Sequence, residues 1–505
     1  MIYYREIRAT KLLYLITFFL IGISIQGWSQ SSAQPNILII LADDLGYGDL
    51  KPYNRNSLIP TPNLNRLADE SIRLTNAYCP VAVCSPSRYS LMTGQYAFRS
   101  WKKSGVMRNY ERSMIDANLL TLPEMLQKAG YTTAGFGKWH LGTTFPTLDG
   151  KNPVGYGQFR DDNNGANLDL SRPVSDGPLD HGFDYWLGFS CASECWILEN
   201  NQIMGAIQHD LYTIEAAQNT ETLEKYSLEE YLPYVTNNAL SYLEEQASQD
   251  KEQPFFLYYA PYVPHIPLAV NESFQGKTDA GLYGDYVYEL DHYIGQILDA
   301  LDRLALTDNT LVLFASDNGS QFVVTARDMD LENASNSPEN VQDDNSSGEV
   351  HHPNGPLRGT KWTAWEGGVR TPLIARWPGH FPATQSSDQF FALNDVLATL
   401  ASVVDYELPD DSGRDSYNLL PVLMGKEPNT RETVVVESSG GRMGLRWGKW
   451  KFLAPDKKNP DGELYDLSTD LSESINLAKN YPEEGKKMQQ KLNDILKSER
   501  SATHP

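Results

Sequence analysis

The chain has 505 residues, of which 41% are hydrophobic and 11% aromatic, so it is long enough for a large core and two domains. Its formal net charge of −23 argues against a nucleic acid or an anionic membrane as a partner, since either would need a basic surface. An anionic substrate remains compatible, because a metal ion and a few cations can reverse the sign of the field inside one pocket.

The N-terminus predicts a signal peptide. Arg5, Arg8 and Lys11 precede an apolar run over residues 12–25, and the polar stretch QGWSQSSAQ follows it. The run is short for a membrane span, which needs about 20 apolar residues. We therefore expect a signal peptide over residues 1–30, export to the periplasm or the medium, and no stable membrane insertion. The alternative is an uncleaved membrane anchor.

From Pro35 onward, short β-rich runs alternate with helical patterns. The predicted strands are NILIILADD, TTAGFGKWHLG, PFFLYYAPYVPHIPL, TLVLFASDNG and GVRTPLIARWPG. The predicted helices are TPNLNRLADESI, TLPEMLQKAG, YVYELDHYIGQILDALDRLAL and FALNDVLATLASVV. This alternation is typical of an α/β domain with a mostly parallel central sheet flanked by helices.

The pattern changes beyond about residue 425. TVVVESSGGRMGLRWGKWKFL has the character of antiparallel hairpin strands, and EEGKKMQQKLNDILKSER is helical. We predict a catalytic domain over residues 35–425 and a smaller C-terminal α+β domain with an antiparallel sheet over 426–505. The polar segment 322–356 is expected to form a long loop over the site.

Polar side chains collect at the ends of predicted strands, where open parallel sheets bind ligands. These residues are Asp43, Asp44, Lys138, His140, His265, Asp317 and Asn318, with Lys361 on the loop before the last strand. Three carboxylates and an amide form a hard, oxygen-rich set that suits Ca²⁺ or Mg²⁺ better than zinc. Each motif alone has a plainer interpretation, since DD is also a helix cap and SDNG a turn.

The cations around this set indicate an anionic substrate. Two lysines, two histidines and Arg88, with a metal ion, would bind a tetrahedral oxyanion and stabilise the charge that builds on it. The predicted substrate group is a sulfate or a phosphate. Taken singly, each lysine or arginine is also compatible with a solvated surface charge, and each histidine with a buried core position.

Cys84 stands in VCSPSRYSLMTGQ, four residues before Arg88. A core residue, a disulfide, a thiolate nucleophile and a site of modification are all compatible with this stretch. A helix that begins near Ser87 would turn its amide-rich end toward an anion. The spacing of Cys191 and Cys195 is compatible with a disulfide that closes a small loop.

These motifs resemble the type I, formylglycine-dependent sulfatases of the alkaline phosphatase superfamily. The resemblance is carried by ADDLGYGD, CSPSRYSLMTGQ, GKWHLG, HIP, ASDNG and RGTKWTAWEGGVRTP in that order, and by the closing GELYDLSTDLSESINLA. It covers nearly all of the chain after the predicted signal peptide. It implies an alkaline-phosphatase-like fold and sulfate ester hydrolysis.

The resemblance also implies a cofactor and a nucleophile. A maturation enzyme would oxidise Cys84 to formylglycine (3-oxoalanine), whose hydrate attacks sulfur, and Arg88 would hold it. One Ca²⁺ per chain would be bound by the modified Cys84 and by four further residues, Asp43, Asp44, Asp317 and Asn318. An unmodified thiol lacks the second hydroxyl that is needed to restore the aldehyde.

Further catalytic roles follow from the same resemblance. Asp317 would assist deprotonation of the attacking hydroxyl, and His265 or Lys361 would protonate the leaving alcohol. His140, near Lys138, would take the last proton as sulfate leaves. The residues suggested as substrate contacts are His351, His352, Trp196, Glu194 and Arg442.

The preferred function is an exported sulfatase that acts on a sulfated polysaccharide or its oligosaccharides. A phosphodiesterase or phosphonate monoester hydrolase with the same formylglycine is the alternative within the superfamily. A carbohydrate-binding protein in which Cys84 is never modified is the alternative from another class.

Overall fold

The computed structural model describes residues 34–108, 110–151, 167–191, 196–208, 224–249, 253–327, 350–426 and 431–502. The predicted signal peptide, Glu194 and Cys195 lie outside these residues, so the question of a Cys191–Cys195 disulfide lies outside them as well. Residues 35–505 form one compact unit. In the described part of the chain, no helix combines the length and apolarity that crossing a membrane requires.

Strands and helices alternate through most of this unit. The strands are β1 Asn36–Ala42, β2 Ile72–Tyr78, β3 Thr132–Lys138, β4 Tyr185–Phe189, β5 Trp196–Glu199, β6 Gln202–Gln208, β7 Glu224–Ser227, β8 Phe255–Ala260, β9 Thr310–Ser316, β10 Leu373–Arg376, β11 Gln385–Ala392, β12 Thr433–Glu437, β13 Met443–Trp447, β14 Trp450–Leu453 and β15 Glu463–Asp466. The helices are α1 Pro62–Asp69, α2 Cys84–Thr93, α3 Leu122–Lys128, α4 Leu228–Ser248, α5 Gly281–Arg303, α6 Glu366–Val369, α7 Val396–Val403, α8 Leu420–Leu423 and α9 Pro482–Lys497.

The central sheet has 11 strands in the order β11-β2-β10-β9-β1-β8-β3-β4-β5-β6-β7. Its middle is parallel, with β1 paired to β8 and β9, and β3 paired to β8 and β4. Strand β10 runs antiparallel to both β9 and β2, and β5 is antiparallel to β4 and β6. The prediction of a mostly parallel sheet is therefore confirmed, with antiparallel strands toward both edges.

Strand β1 illustrates why this sheet lies at the centre of the molecule. All seven residues are buried, and successive side chains enter two different hydrophobic clusters on the two faces. Ile37 and Ile39 pack on the side of α2 and α3, whereas Leu38 and Ile40 pack on the side of α4 and α5. A strand covered on both faces reads as a continuous apolar run, which is why NILIILA was recognisable in the sequence.

The predicted C-terminal antiparallel sheet is confirmed. It has four strands in the order β12-β13-β14-β15, and α9 packs on it through Met488 and Leu492. Strand β12 begins at Thr433, and its end pairs with the large domain through an isolated bridge between Glu437 and Val81. The division at residues 425/426 stays a prediction.

Some local predictions were wrong or incomplete. Helix α2 begins at Cys84, three residues before the predicted start at Ser87. The elements that were not predicted are β2, β4 to β7, β11, β15, α4, α6 and α8. The direction of β10 was also not predicted. Because β10 is antiparallel, the loop before it leaves the sheet at the same edge as the carboxyl ends of the parallel strands. Lys361 therefore reaches that edge from a loop that precedes its strand.

Candidate active site

Cys84 lies at the first turn of α2, at the carboxyl edge of the central sheet. Strand β2 leads toward this edge, and every residue of α2 is buried. The Sγ atom of Cys84 lies 3.5 Å from Oδ1 of Asp43 and 3.9 Å from Oδ1 of Asp44. The side chain is thus held at a helix N-terminus beside two carboxylates, where the helix dipole favours negative charge on a ligand.

The predicted metal ligands lie together. Asp43 and Asp44 follow β1 directly, and Asp317 and Asn318 follow the adjacent strand β9. The Asp44 amide donates to Oδ1 of Asp317 at 3.2 Å, and Nδ2 of Asn318 donates to Oδ1 of Asp44 at 2.7 Å. Asp44 has a φ of 66°, in the left-handed region that Asp tolerates better than most residues. The parallel pairing of β1 with β9 therefore brings the two motifs into one cluster.

Three buried cations neutralise these carboxylates. Arg88 donates to Oδ2 of Asp317 from Nε at 3.0 Å and from Nη2 at 2.8 Å. Lys138 Nζ lies 2.5 Å from Oδ2 of Asp43. Lys361 makes the third pair and is described with the acid–base groups below. Because Arg88 and Lys138 are fully buried, these contacts are little screened by solvent.

Two candidates for the general acid face the same carboxylate. Lys361 Nζ donates to Oδ2 of Asp44 at 2.6 Å, and His265 Nε2 lies 3.7 Å from that oxygen. The other ring nitrogen of His265 contacts the carbonyl of Ile266 at 2.5 Å. Burial lowers the pKa of His265 to about 4, with a further lowering from Lys361. Burial also lowers the pKa of Lys361, but Asp44, Cys84 and Asp43 together outweigh it and raise that pKa overall.

His140 is held by one ring nitrogen and leaves the other open. Its Nε2 lies 3.1 Å from the carbonyl oxygen of Met107, and its buried Nδ1 has no hydrogen-bond partner among the described residues. Burial, together with the charges of Lys138 and Arg88, holds the pKa of His140 well below its usual value. The ring is therefore neutral and a weaker base than a solvated histidine, and Nδ1 is its open acceptor position.

The pKa values of Asp43 and Asp317 are shifted in opposite directions. Burial raises the pKa of Asp43, but Lys138, His265 and Arg88 outweigh it and hold the pKa well below the usual range. Burial and the neighbouring Asp43 charge raise the pKa of Asp317. Burial also raises the pKa of the Cys84 thiol, so the unmodified side chain is a poor source of thiolate. A thiolate nucleophile is therefore disfavoured at this position.

The donor set fits a hard divalent cation. Oδ1 of Asn318 is buried and has no hydrogen-bond partner in the described part of the chain, and it belongs to the same cluster as three carboxylates. One ligand atom from each of Asp43, Asp44, Cys84 and His265 lies within 4.8 Å of the others. Carboxylate and amide oxygens are the ligands that Ca²⁺ prefers. The predicted ligands Asp43, Asp44, Asp317 and Asn318 thus provide a fitting set.

Two of the suggested substrate contacts, His351 and Trp196, are buried side chains with hydrogen-bond partners inside the protein. His351 is 1% exposed, donates from Nε2 to Oδ1 of Asp49 at 2.8 Å, and accepts from the Leu58 amide at 3.4 Å. Trp196 is fully buried, and its indole N–H donates to the Tyr110 hydroxyl at 3.3 Å. Each of these side chains has a hydrogen-bond partner inside the protein, and its contact with substrate stays a prediction.

The other three suggestions have different outcomes. Nη1 of Arg442 lies 2.7 Å from Glu463 and 2.9 Å from Asp456, so its guanidinium binds within the C-terminal sheet instead of facing substrate. His352 is exposed, and its contact with substrate stays a prediction. Glu194 lies outside the described residues.

The sequence analysis missed Asp49 and its hydrogen-bond partners, which fix the loop that follows the metal-ligand motif. Asp49, in the same ADDLGYGD motif, accepts from the Tyr283 hydroxyl at 2.6 Å and from the Gly46 amide at 2.7 Å. A Cβ on Gly46 would lie 2.1 Å from the carbonyl oxygen of Pro353, so the loop after β1 fits closely against the segment that contains His351. The recurring glycines of the motif were the signal that would have indicated such a close approach.

The arrangement is that of a hydrolase for tetrahedral oxyanion esters. It combines a side chain at a helix N-terminus, a hard-cation donor set, and several buried cations with proton donors and acceptors around them. These groups meet at the carboxyl edge of a doubly wound sheet, where such folds bind their ligands.

Comparisons with known proteins identify the family. The sulfatase family model matches residues 35–406. The chain is 30% identical over 524 residues to an N-acetylgalactosamine-6-O-sulfatase of Bacteroides thetaiotaomicron, covering 93% of this chain and 94% of that protein. It is 33% identical over 416 residues to human N-acetylgalactosamine-6-sulfatase, covering 79% and 67% of the two chains.

A solved structure agrees with these matches. A sulfatase structure from work on the metabolism of multiple glycosaminoglycans by Bacteroides thetaiotaomicron superposes with a TM-score of 0.78 and 29% identity, covering 92% of this chain and 100% of that one. The chain belongs to the sulfatase family, and it is a sulfuric ester hydrolase with an alkaline-phosphatase-like fold. The prediction from the sequence motifs is confirmed at this level.

Proposed function

We propose that this sulfatase removes sulfate from a sulfated polysaccharide or its oligosaccharides, by means of a formylglycine made from Cys84 and one bound Ca²⁺. The observation that carries the proposal is the position of Cys84. Its side chain lies at the start of α2, 3.5 Å from Asp43, and the positive charges of Lys138 and Lys361 act on it.

The cofactors supply the chemistry that the unmodified chain lacks: formylglycine provides a nucleophilic hydroxyl, and Ca²⁺ withdraws negative charge from the sulfate oxygens. The residues that would hold the cation are Asp43, Asp44, Asp317 and Asn318, together with modified Cys84. Arg88 keeps Asp317 in place through two hydrogen bonds, and its Nη1 also donates to the Lys138 carbonyl at 2.9 Å.

Each remaining residue has a role that its position supports. Lys138 and Lys361 place ammonium groups beside the anion and stabilise the charge of the transition state. Asp317, whose pKa burial raises, accepts a proton from the attacking hydroxyl. Lys361 or His265 donates a proton to the leaving alcohol, and Lys361 is the first candidate, because its raised pKa keeps it protonated whereas the lowered pKa of His265 leaves that ring neutral. The open Nδ1 of His140 accepts the proton that is released as sulfate departs.

Two relatives suggest the first substrate to test. They are sulfatases of N-acetylgalactosamine 6-sulfate by name, and the bacterial one matches this chain over almost its whole length. We therefore place a 6-sulfated N-acetylgalactosamine, free or within a glycosaminoglycan oligosaccharide, first among the candidate sugars. The exposed His352 is the first described candidate for a contact to that sugar.

Maturation and export belong to the same proposal. Cys84 is 1% exposed in the folded chain, so a maturation enzyme needs to act before folding is complete. The predicted signal peptide over residues 1–30 would then direct the modified protein to the periplasm or the medium. N-terminal sequencing of the active protein is expected to begin after that segment.

The test combines mass spectrometry with a substrate panel. Active protein is digested, and the peptide that contains residue 84 is expected to carry formylglycine instead of cysteine. The same preparation is offered sulfated mono- and oligosaccharides, with phosphate and phosphonate esters of matched alcohols as controls. Unmodified Cys84 in fully active protein would overturn the mechanism. Preference for the phosphorus esters would favour the phosphodiesterase or phosphonate hydrolase alternative, and carbohydrate binding without turnover would favour the binding-protein alternative.

A further inference from the structure

The loop that carries Lys361 rests on the C-terminal antiparallel sheet. Nη1 of Arg358 donates to the Glu473 carbonyl at 2.7 Å, and the Trp365 indole N–H donates to Oε2 of Glu463 at 3.0 Å. The Glu366 amide donates to the side chain of Glu473 at 2.7 Å. The segment on both sides of Lys361 is thus attached to residues that follow β14 in the chain.

Glu366 is the centre of this attachment, and it is fully buried. Its Oε1 lies 2.8 Å from Nζ of Lys451, and its Oε2 accepts from the Tyr78 hydroxyl at 2.8 Å and lies 3.4 Å from Arg370. Lys451 is also fully buried. Burial raises the pKa of Glu366, but Lys451, Arg446 and Arg370 outweigh it and lower the pKa, so the carboxylate is ionised.

The same sheet holds the segment that leads into α2. The amide of Glu437, at the end of β12, donates to the Pro80 carbonyl, and the Ala82 amide donates back to the Glu437 carbonyl, both at 2.9 Å. Trp362 joins the two parts, since its amide donates to the Ala82 carbonyl at 2.7 Å and its carbonyl accepts from the Ser439 amide at 2.9 Å. The loop and the strand-to-helix segment are therefore fixed to each other through the C-terminal sheet.

We propose that Lys451 and Glu366 are positioning residues for the reaction. Lys451 lies on the C-terminal sheet, which contributes no reacting atom, and its ion pair with Glu366 holds the segment that carries Lys361 beside Asp44. A fully buried ion pair often adds little net stability over well-packed apolar residues, whereas it does specify one arrangement of the elements that it joins. A displacement of about 1 Å in a reacting group costs about 100-fold in rate, so precise attachment of this loop matters. The proposal rests on the role of Lys361 in the proposed function.

The test is a kinetic double-mutant cycle in the full, matured protein. The variants are Lys451→Met, Lys361→Met and the double substitution, assayed for sulfate release from N-acetylgalactosamine 6-sulfate and from 4-nitrophenyl sulfate. Lys451→Met is expected to lower kcat by about 10- to 100-fold with a smaller change in KM. In the Lys361→Met background, the same substitution is expected to cause almost no further loss, because its effect acts through Lys361.

Lys449→Met is the matched control. Lys449 lies two residues before Lys451, in the turn that leads into β14, but it pairs with Asp466 and its side chain is 52% exposed. Its substitution is expected to leave kcat unchanged. An equal loss from Lys451→Met in both backgrounds, or no loss in either, would overturn the proposal.

Folding is monitored by thermal unfolding of every variant. If Lys451→Met does not fold, Trp365→Phe replaces it in the cycle, since this change removes the 3.0 Å hydrogen bond to Glu463 and part of the ring surface over Arg358 while an aromatic ring stays in place. A several-fold loss in kcat that vanishes in the Lys361→Met background supports the proposal, and an unchanged kcat contradicts it. Unchanged kcat in Lys361→Met alone would instead remove the catalytic role of Lys361 from the proposed function.

Discussion

Two buried clusters of charge lie near the two ends of α2, and they differ in what their side chains leave unused. At the N-terminal end, the Cys84 cluster contains a buried Asn318 oxygen and a His140 nitrogen without partners among the described residues. Near the C-terminal end, Asp415 is fully occupied by the Tyr96 amide, two nitrogens of Arg99 and the Ser501 hydroxyl. Both clusters bury charge, and the second also holds one buried oxygen without a partner among the described residues, Oδ1 of Asn394 beside Asp415. The catalytic cluster differs because its open atoms belong to a set of carboxylates and cations around Cys84 at a helix N-terminus.

The largest expected effect is on activity and comes from Cys84→Ala. We expect sulfate release to fall by at least about 1,000-fold, because the variant has no side chain from which the nucleophile is made. The unfolding midpoint is expected to stay close to that of the parent, since a small buried side chain is removed from a cluster that is not needed for packing. Residual activity near the parent level would show that the reaction does not use this position.

Asp415→Asn is expected to have the opposite profile. It breaks a buried ion pair with Arg99 and should lower the free energy of unfolding by about 3–5 kcal/mol. Denaturant unfolding measures this loss, and kcat per folded molecule should not change. A large fall in kcat at full stability would mean that the second cluster also participates in catalysis.

Removal of calcium tests the open oxygen of Asn318. Calcium at about 100 times its Kd would stabilise the folded protein by about 3 kcal/mol, so a chelator should lower the unfolding midpoint along with the activity. In Asn318→Ala, the calcium-dependent shift of the midpoint should shrink, and in Asp415→Asn it should remain. A shift of equal size in the parent and in Asn318→Ala would argue against the predicted ligand set.

The adjacent residues His351 and His352 provide a matched pair. His351→Ala should cost about 2 kcal/mol of unfolding free energy, because it leaves the buried Asp49 carboxylate without one of its donors. His352→Ala should be nearly neutral for stability, since His352 is exposed. An increase in KM for the sulfated sugar is expected only from His352→Ala. The reverse assignment of these effects would favour His351 as the substrate contact.

The smallest effect on activity is expected at Glu289, a buried carboxylate outside both clusters, where a substitution should change only the stability. Burial raises its pKa to about 7, so the folded protein holds a proton that the unfolded chain has lost at that pH. Stability contributed by this group is therefore complete below the unfolded pKa and is lost as pH rises through about 7. Glu289→Gln should gain up to about 3 kcal/mol relative to the parent at pH 8 and almost nothing at pH 4, as measured by denaturant unfolding.

The catalytic cluster was predictable because several of its members follow strands that are recognisable as continuous apolar runs. Runs such as NILIILA and TLVLFAS are apolar on both faces, and the polar residues that follow them stand out. The partners of His351 and Trp196 were not predictable, for the opposite reason. A histidine or tryptophan in a polar or mixed segment has the same appearance in the sequence whether it faces substrate or is enclosed by partners far away in the chain, such as Asp49.

The sequence by itself determined the family, the α/β class and the order of the catalytic motifs, because apolar periodicity and short motifs are local properties of the chain. Only the tertiary structure decided the direction of β10, the enclosure of His351 and the attachment of the Lys361 loop to Lys451. Each of these depends on residues brought together from distant parts of the chain. Such contacts are set by the packing of whole elements, and no local pattern encodes them.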